Sequence, residues 1–138
     1  LQSVDRQLIC VGLDLALWPE VKYSVLEALK LDGGRLSLDD IKDALEAQQM
    51  QLWGLHDGIL RAVVITEVIN YPQMRCIRFV TASGRDLEMW LDVLIDTVSQ
   101  WGAEQGAHAM EFVGRKGWEK VLSKRGFGST QIMMTKFI

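Results

Sequence analysis

Glu67 sits in the apolar run 60–69, flanked by Val63, Ile65 and Ile69, and it is the only acid within the strand-like runs of that part of the chain. Burial among apolar side chains raises the proton affinity of a carboxylate, which suits a catalytic base. Arg61, Arg75 and Arg78 are close enough to pair with it, and a paired Glu67 would be structural instead. Further on, Ser83, Gly84 and Arg85 precede a long helical pattern, where unpaired amides and the helix dipole can converge on a phosphate. Asp86 and Glu88 in the first turn oppose an anion there, so an ordinary capped helix start is the other reading. Arg115 and Lys116, with Trp118 after them, follow a strand-like run at the kind of sheet edge where ligands gather in open sheets. They can meet a phosphate or carboxylate, or form a solvated basic turn. Trp53 and Trp118, with Arg115, have the residue types that anchor protein interfaces. His56 and His108 have no Cys or Ser partner at a telling spacing, and Cys10 and Cys76 stand too far apart for a metal-ligand motif. Zinc, other metals and disulfides are therefore not expected, and the two cysteines read as reduced, buried thiols.

The elements that must position these residues follow from apolar spacing. Val21, Val25, Leu26 and Leu29 recur at helical spacing after Pro19, with Gly33-Gly34 as the stop. Ser37 offers an N-cap to a second helix carrying Leu38, Ile41, Ala44, Leu45 and Gln48 and ending near Met50. Strands are expected over 51–55 and 59–69 around a His56-Asp57-Gly58 turn, then over 74–80 after a second turn at 70–73. The middle run is apolar on both faces and should be a central strand. Leu87, Trp90, Leu91, Leu94, Val98 and Trp101 mark one stripe of a helix between Asp86 and Gln105, with Gly106 as its cap. A crossover helix makes the next strand, 108–113, parallel to its predecessor. Trp118, Val121 and Leu122 face a short helix ended by Gly126, and 131–138 reads as a last strand. Residues 6–17 are apolar without a period and fit either a strand or a loop.

With 138 residues, 49% of them hydrophobic and 24% charged, the chain fits one compact domain over 1–138, with a helical part at 1–50 and a sheet core at 51–138. A net charge of −3 argues against nucleic acid as a partner, despite the local run Arg115, Lys116, Lys120, Lys124 and Arg125. No apolar run is long enough to span a membrane, and no basic start followed by an apolar stretch reads as a secretory leader, which points to the cytoplasm.

In this order, helix pair, meander, long helix, parallel strand, short helix and Gly-Phe exit, the chain resembles the GNAT acyltransferase superfamily. The local carriers are Lys120-Val121-Leu122-Ser123-Lys124-Arg125-Gly126-Phe127, and Gly114 to Trp118 taken with Gln51-Leu52-Trp53, which is similar to small GNAT-like proteins of tailed bacteriophages. The resemblance implies an α/β (α+β) fold with a mixed, mostly antiparallel sheet flanked by helices. It also implies acetyl-CoA or CoA as cofactor, in a cleft where the strand ending at Thr81 splays from 108–113. Phe79, Val80 and Thr81 would meet the pantetheine, Ser83, Gly84 and Arg85 the pyrophosphate, and Glu67 would deprotonate an amine. The loop carries one glycine where the superfamily pattern has two, and Leu122 stands where a tyrosine often protonates the leaving thiolate. Two functions stay open: acyl transfer to an amine, and a noncatalytic phage module in a virion or against a host protein. Pairing of such sheets also implies a homodimer.

Overall fold

The computed structural model describes residues 7–11, 18–56, 58–85 and 87–138, the first segment by its backbone alone. Asp57 and Asp86, read above as a turn residue and a helix start, lie outside the described residues, as do 1–6 and 12–17. The elements are β1 (Gln7–Val11), α1 (Trp18–Leu29), α2 (Leu38–Glu46), β2 (Met50–His56), β3 (Leu60–Asn70), β4 (Arg75–Gly84), α3 (Leu87–Glu104), β5 (Ala109–Phe112) and α4 (Gly117–Ser123). They build a five-stranded sheet in the order β1-β2-β3-β4-β5. The first four strands are antiparallel, and β5 runs parallel to β4 because α3 carries the chain back across the sheet. This is the mixed, mostly antiparallel α+β sheet that the order of elements implies, with β3 in the middle.

Each helix forms where the sequence gives it a stripe and an end. Val21, Val25 and Leu29 are the buried side of α1, whereas Leu26 faces out. Ser37 caps α2 reciprocally: its hydroxyl accepts from the Asp40 amide at 3.1 Å, and the Asp40 carboxylate accepts from the Ser37 amide at 2.9 Å. That backbone bond holds the Asp40 carboxyl below its ordinary value. The helix ends at Glu46, short of the expected Met50, because Gln48 turns the chain through φ 59° and Met50 already opens β2.

The two faces of the sheet carry separate cores. Trp18, Val21, Val25, Leu29, Ile41 and Leu45 from α1 and α2 cover Leu52, Val63 and Ile65. On the other face Leu87, Trp90, Leu91, Leu94 and Val98 of α3 cover Trp53, Val64, Ile77 and Phe79. Gly102 brings α3 close, since a Cβ there would stand 2.9 Å from Ile77 Cγ1. Among the described residues no helix is long and apolar enough to cross a membrane.

Two expectations need correction. β4 does not stop near Val80 or Thr81 but runs on to Gly84, paired with β3 from Thr81↔Ile65 to Gly84↔Ala62. The last strand does not form: 131–138 has no regular structure and every residue in it is exposed, because a β-prone run becomes a strand only beside a partner.

Candidate functional site

β4 and β5 lie side by side from Cys76↔Ala109 to Phe79↔Phe112, and there the pairing stops. Beyond Phe79, β4 continues for five residues with β3 on one side and, among the described residues, no strand on the other. Three of the expected cofactor residues, Phe79, Val80 and Thr81, stand at this parting. The register shifts by one residue between Ile65 and Thr66, leaving Val80 as an extra residue in β4, and such a bulge twists and re-aims the strand. Phe79 therefore faces α3, while Thr81 and Ser83 face the α1–α2 layer opposite Ile65 and Val63.

That arrangement changes the role available to Ser83 and Gly84. Both belong to the strand ladder rather than to a loop. The Ser83 and Thr81 hydroxyls are buried without a hydrogen-bond partner among the described residues. Gly84, at φ 131°, lies against the backbone of Arg61 and Ala62, so a side chain there would strike β3 and not fill a phosphate site. Arg85, exposed at the start of α3, remains free to reach an anion.

The opening between the strands is lined with aromatic rings. Phe112 stacks obliquely on Phe79 (centroids 6.2 Å) and on Trp118 (5.1 Å). With Leu122 and Phe127 they leave an inner void of only about 10 Å³. Outside Trp118 a cavity of about 290 Å³ opens between Glu88, in the first turn of α3, and Arg115 and Val121. Arg125, in the turn after α4, holds this wall to α3 by a 2.9 Å bond to Asp92. Arg115, Lys116 and Trp118 thus come together at one rim. Trp53 does not join them: it is 1% exposed, its Nε1 donates to Thr66 Oγ1 at 2.9 Å, and its ring meets Trp101 edge-on at 5.6 Å. The expected surface role of Trp53 is corrected by that burial, because β2 turns it towards α3.

On the opposite face, beneath the parting, lies a polar cluster. Arg78 Nε donates to Glu111 Oε1 at 2.8 Å, Tyr71 donates its hydroxyl to the same oxygen at 2.8 Å, and Arg78 Nη2 donates to the Tyr71 oxygen at 2.9 Å. The Glu111 bond pushes the Tyr71 phenol up from its ordinary value. Glu67 lies directly across from Arg78 on β3, half-buried, and makes no hydrogen bond or ion pair among the described residues because the guanidinium turns to Glu111. Cys76 is buried on the same face, and desolvation raises its thiol pKa. Sequence reasoning missed Glu111, although its signal matches that of Glu67: an acid within the apolar strand Ala109-Met110-Glu111-Phe112. A groove of about 690 Å³ runs from this cluster around the outer edge of β5 to Arg115 and Trp118. Among the described residues no group of three His, Cys, Asp or Glu side chains is placed to hold a metal.

A parted pair of parallel strands between an antiparallel meander and a crossover helix is the fold of the GNAT acetyltransferases, and solved structures of that class superpose on this chain. A predicted acetyltransferase with acetyl-CoA from Clostridium acetobutylicum matches with a TM-score of 0.72 at 13% identity, covering 96% of each chain. A GCN5-related N-acetyltransferase from Ralstonia eutropha JMP134 matches with a TM-score of 0.71 at 15% identity, over 95% of this chain and 99% of its own. AAC(6')-Iy, in complex with the bisubstrate analog CoA-S-monomethyl-acetylneamine, gives 0.72 at 14% identity over 96% and 97%. No protein-family model and no curated protein sequence matches the chain. The likeness at these identities is one of fold.

Proposed function

We propose that the protein is an acyl-CoA-dependent N-acyltransferase that takes acetyl-CoA as donor and an amine as acceptor. The observation that carries this reading is the unpaired edge of β4 beyond Phe79, where Phe79 and Ala82 line a small void closed by Phe112 and Trp118, with a cavity open to the surface outside the Trp118 ring. An open strand edge offers backbone donors and acceptors to an amide-bearing arm, as a neighbouring strand would. The residues present fit the group in two places: Phe79, Val80 and Thr81 along the edge for pantetheine, and Arg85 and Arg115 at the rim for phosphate. Ser83 and Gly84 contribute backbone only. The inner end is occupied by Phe112 and Trp118, so loading the slot requires the half-buried Trp118 ring to move.

When bound, the cofactor supplies an acyl carbon activated as a thioester. Glu67, unpaired on the face beneath the parting, accepts the proton from the attacking amine, directly or through one water, and Glu111 holds Arg78 away from it. Transfer of the acyl group to that amine would leave the cofactor as a thiol whose proton would come from solvent, since Leu122 offers none. Positioning supplies much of the acceleration.

Calorimetric titration with acetyl-CoA and free CoA, followed by turnover on an amine panel, tests this reading. Micromolar binding weakened by Arg115→Glu is expected, together with a loss of roughly 100-fold or more in kcat for Glu67→Gln at unchanged binding. No heat from folded protein would overturn it. The aromatic filling of the slot and Leu122 favour a second reading in that event: a noncatalytic GNAT-like module of a phage, a virion component or host-protein binder, using the Arg115–Lys116–Trp118 rim.

A further inference from the structure

The groove along the outer edge of β5, about 690 Å³, falls in the range of about 300–1,000 Å³ usual for small-molecule sites, and its charges are sorted by end. At one end Tyr71 and Arg78 both donate to Glu111 Oε1, while Glu111 Oε2 accepts no bond among the described residues and the side chain is 29% exposed. Glu67 stands across from Arg78 on β3, so two carboxylates share this end with one guanidinium. At the other end Arg115 and Lys116 are exposed, and their side chains make no hydrogen bond or ion pair among the described residues. Glu119 is the one acid lining that end, and Arg125 beside it is matched by Asp92. In a chain of net charge −3, two unmatched cations in one groove are a local reversal of sign. Phe112 and Val113 come between the two ends along the chain, and Phe127 lines the same groove. The four steps from Glu111 to Arg115 span at most about 14 Å.

We infer that the groove takes an anionic amine as the acceptor: a molecule with a free amine, a short apolar middle, and a carboxylate or phosphate about 10 Å from the nitrogen. The inference rests on the acyltransferase reading above and narrows it. The arriving ammonium group donates to Glu111 Oε2 beside Glu67, the middle lies on Phe112 and Phe127, and Arg115 and Lys116 hold the anion through charge-assisted bonds. A diamine of equal length makes the first two contacts but brings its second cation against Arg115 and Lys116. The groove therefore selects by repulsion as well as by attraction. Arg115 also borders the cavity outside Trp118, whereas Lys116 borders this groove alone, which makes Lys116 the residue that reads the acceptor.

Calorimetric titration of the full chain with aminohexanoate, aminohexyl phosphate, hexylamine and diaminohexane tests the assignment, each run without CoA and with it. The four probes share an amine and a six-carbon frame and differ at the far end. Both anionic amines should bind about tenfold or more tighter than hexylamine, the gain from one charge-assisted bond, with diaminohexane the weakest. Equal affinities across the series, or no binding of either anionic amine in both runs, would overturn the inference. Lys116→Glu should weaken aminohexanoate by about tenfold and strengthen diaminohexane. Lys124→Glu makes the same charge change about 12 Å further along α4, beyond the screening length of about 8 Å, and should alter neither. A Lys116→Glu chain that keeps the wild-type order of affinities sinks the assignment. The amidated tripeptides Ala-Gly-Asp and Ala-Gly-Lys separate the two sources of such an amine. Tighter binding of Ala-Gly-Asp than of the small anions supports a peptide terminus, tighter binding of the small anions supports a metabolite, and a preference for Ala-Gly-Lys counts against both. The runs without CoA read the groove directly. A chain that prefers anionic amines but binds no CoA loses the acyltransferase reading and keeps this ligand class, whereas one that binds CoA without charge preference does the reverse.

Discussion

The two halves of the sheet differ in how completely their strands are used. From β2 to the middle of β4 every strand has a neighbour on each side, helix layers cover both faces around Leu52 to Leu55 and Val63 to Ile65, and Leu55, Val64, Ile65 and Ile77 are fully buried. From the parting onward pairing is one-sided: all four residues of β5 are only half-buried, and the chain beyond Phe127 is exposed. Apolar burial stabilises the first half, while the second spends part of its surface on grooves. The polar cluster and the basic rim both border the open half. A stiff meander can hold reactive groups in place only where the sheet stops closing on itself.

Mutations should separate the halves. Trp53→Ala removes a fully buried ring and leaves the Thr66 hydroxyl without its donor; a loss of about 3–5 kcal/mol in urea unfolding is expected, against less than half of that for Trp118→Ala. Equal losses would erase the distinction. Gly84→Ala stands at the border, where φ 131° and the β3 backbone leave no room for Cβ, and should cost about 1–3 kcal/mol by the same measurement. A neutral outcome would mean that the β3–β4 ladder yields at its end. The smallest effect belongs to the cap of α2: Ser37→Ala should cost about 1 kcal/mol. The Asp40 carboxyl has a lowered folded-state pKa, so its contribution is present above its ordinary 3.8 and is lost as pH falls through the lower folded value. Acid titration of stability should therefore show wild type and Asp40→Asn converging below that pH.

Period and turn chemistry made the closed half legible, because Val21, Val25 and Leu29, the α3 stripe and the apolar run of β3 each announce their own burial. The end of β4 was not legible. Thr81, Ser83 and Gly84 look like a loop, and only pairing with Ala62–Ile65 makes them strand. Trp53 reads as an interface anchor until β2 is registered against β3, which fixes the face it occupies. The polar cluster was hidden for a related reason: in sequence Arg78 reads as one of three arginines that could pair with Glu67, but its partner Glu111 lies 33 residues away across a parallel pairing. Residues 131–138 have the composition of a strand and lack a strand neighbour among the described residues.

Val80 acts as a phase shifter. Before it the odd positions Ile77 and Phe79 look towards α3; after it the even position Ala82 does, and Thr81 and Ser83 are sent to the other layer. Removing this one residue would invert the frame of everything downstream in β4, driving two hydroxyls into the α3 core and Ala82 out of it. Surface connections of this chain can gain or lose residues at little cost, but in this strand length is as fixed as sequence.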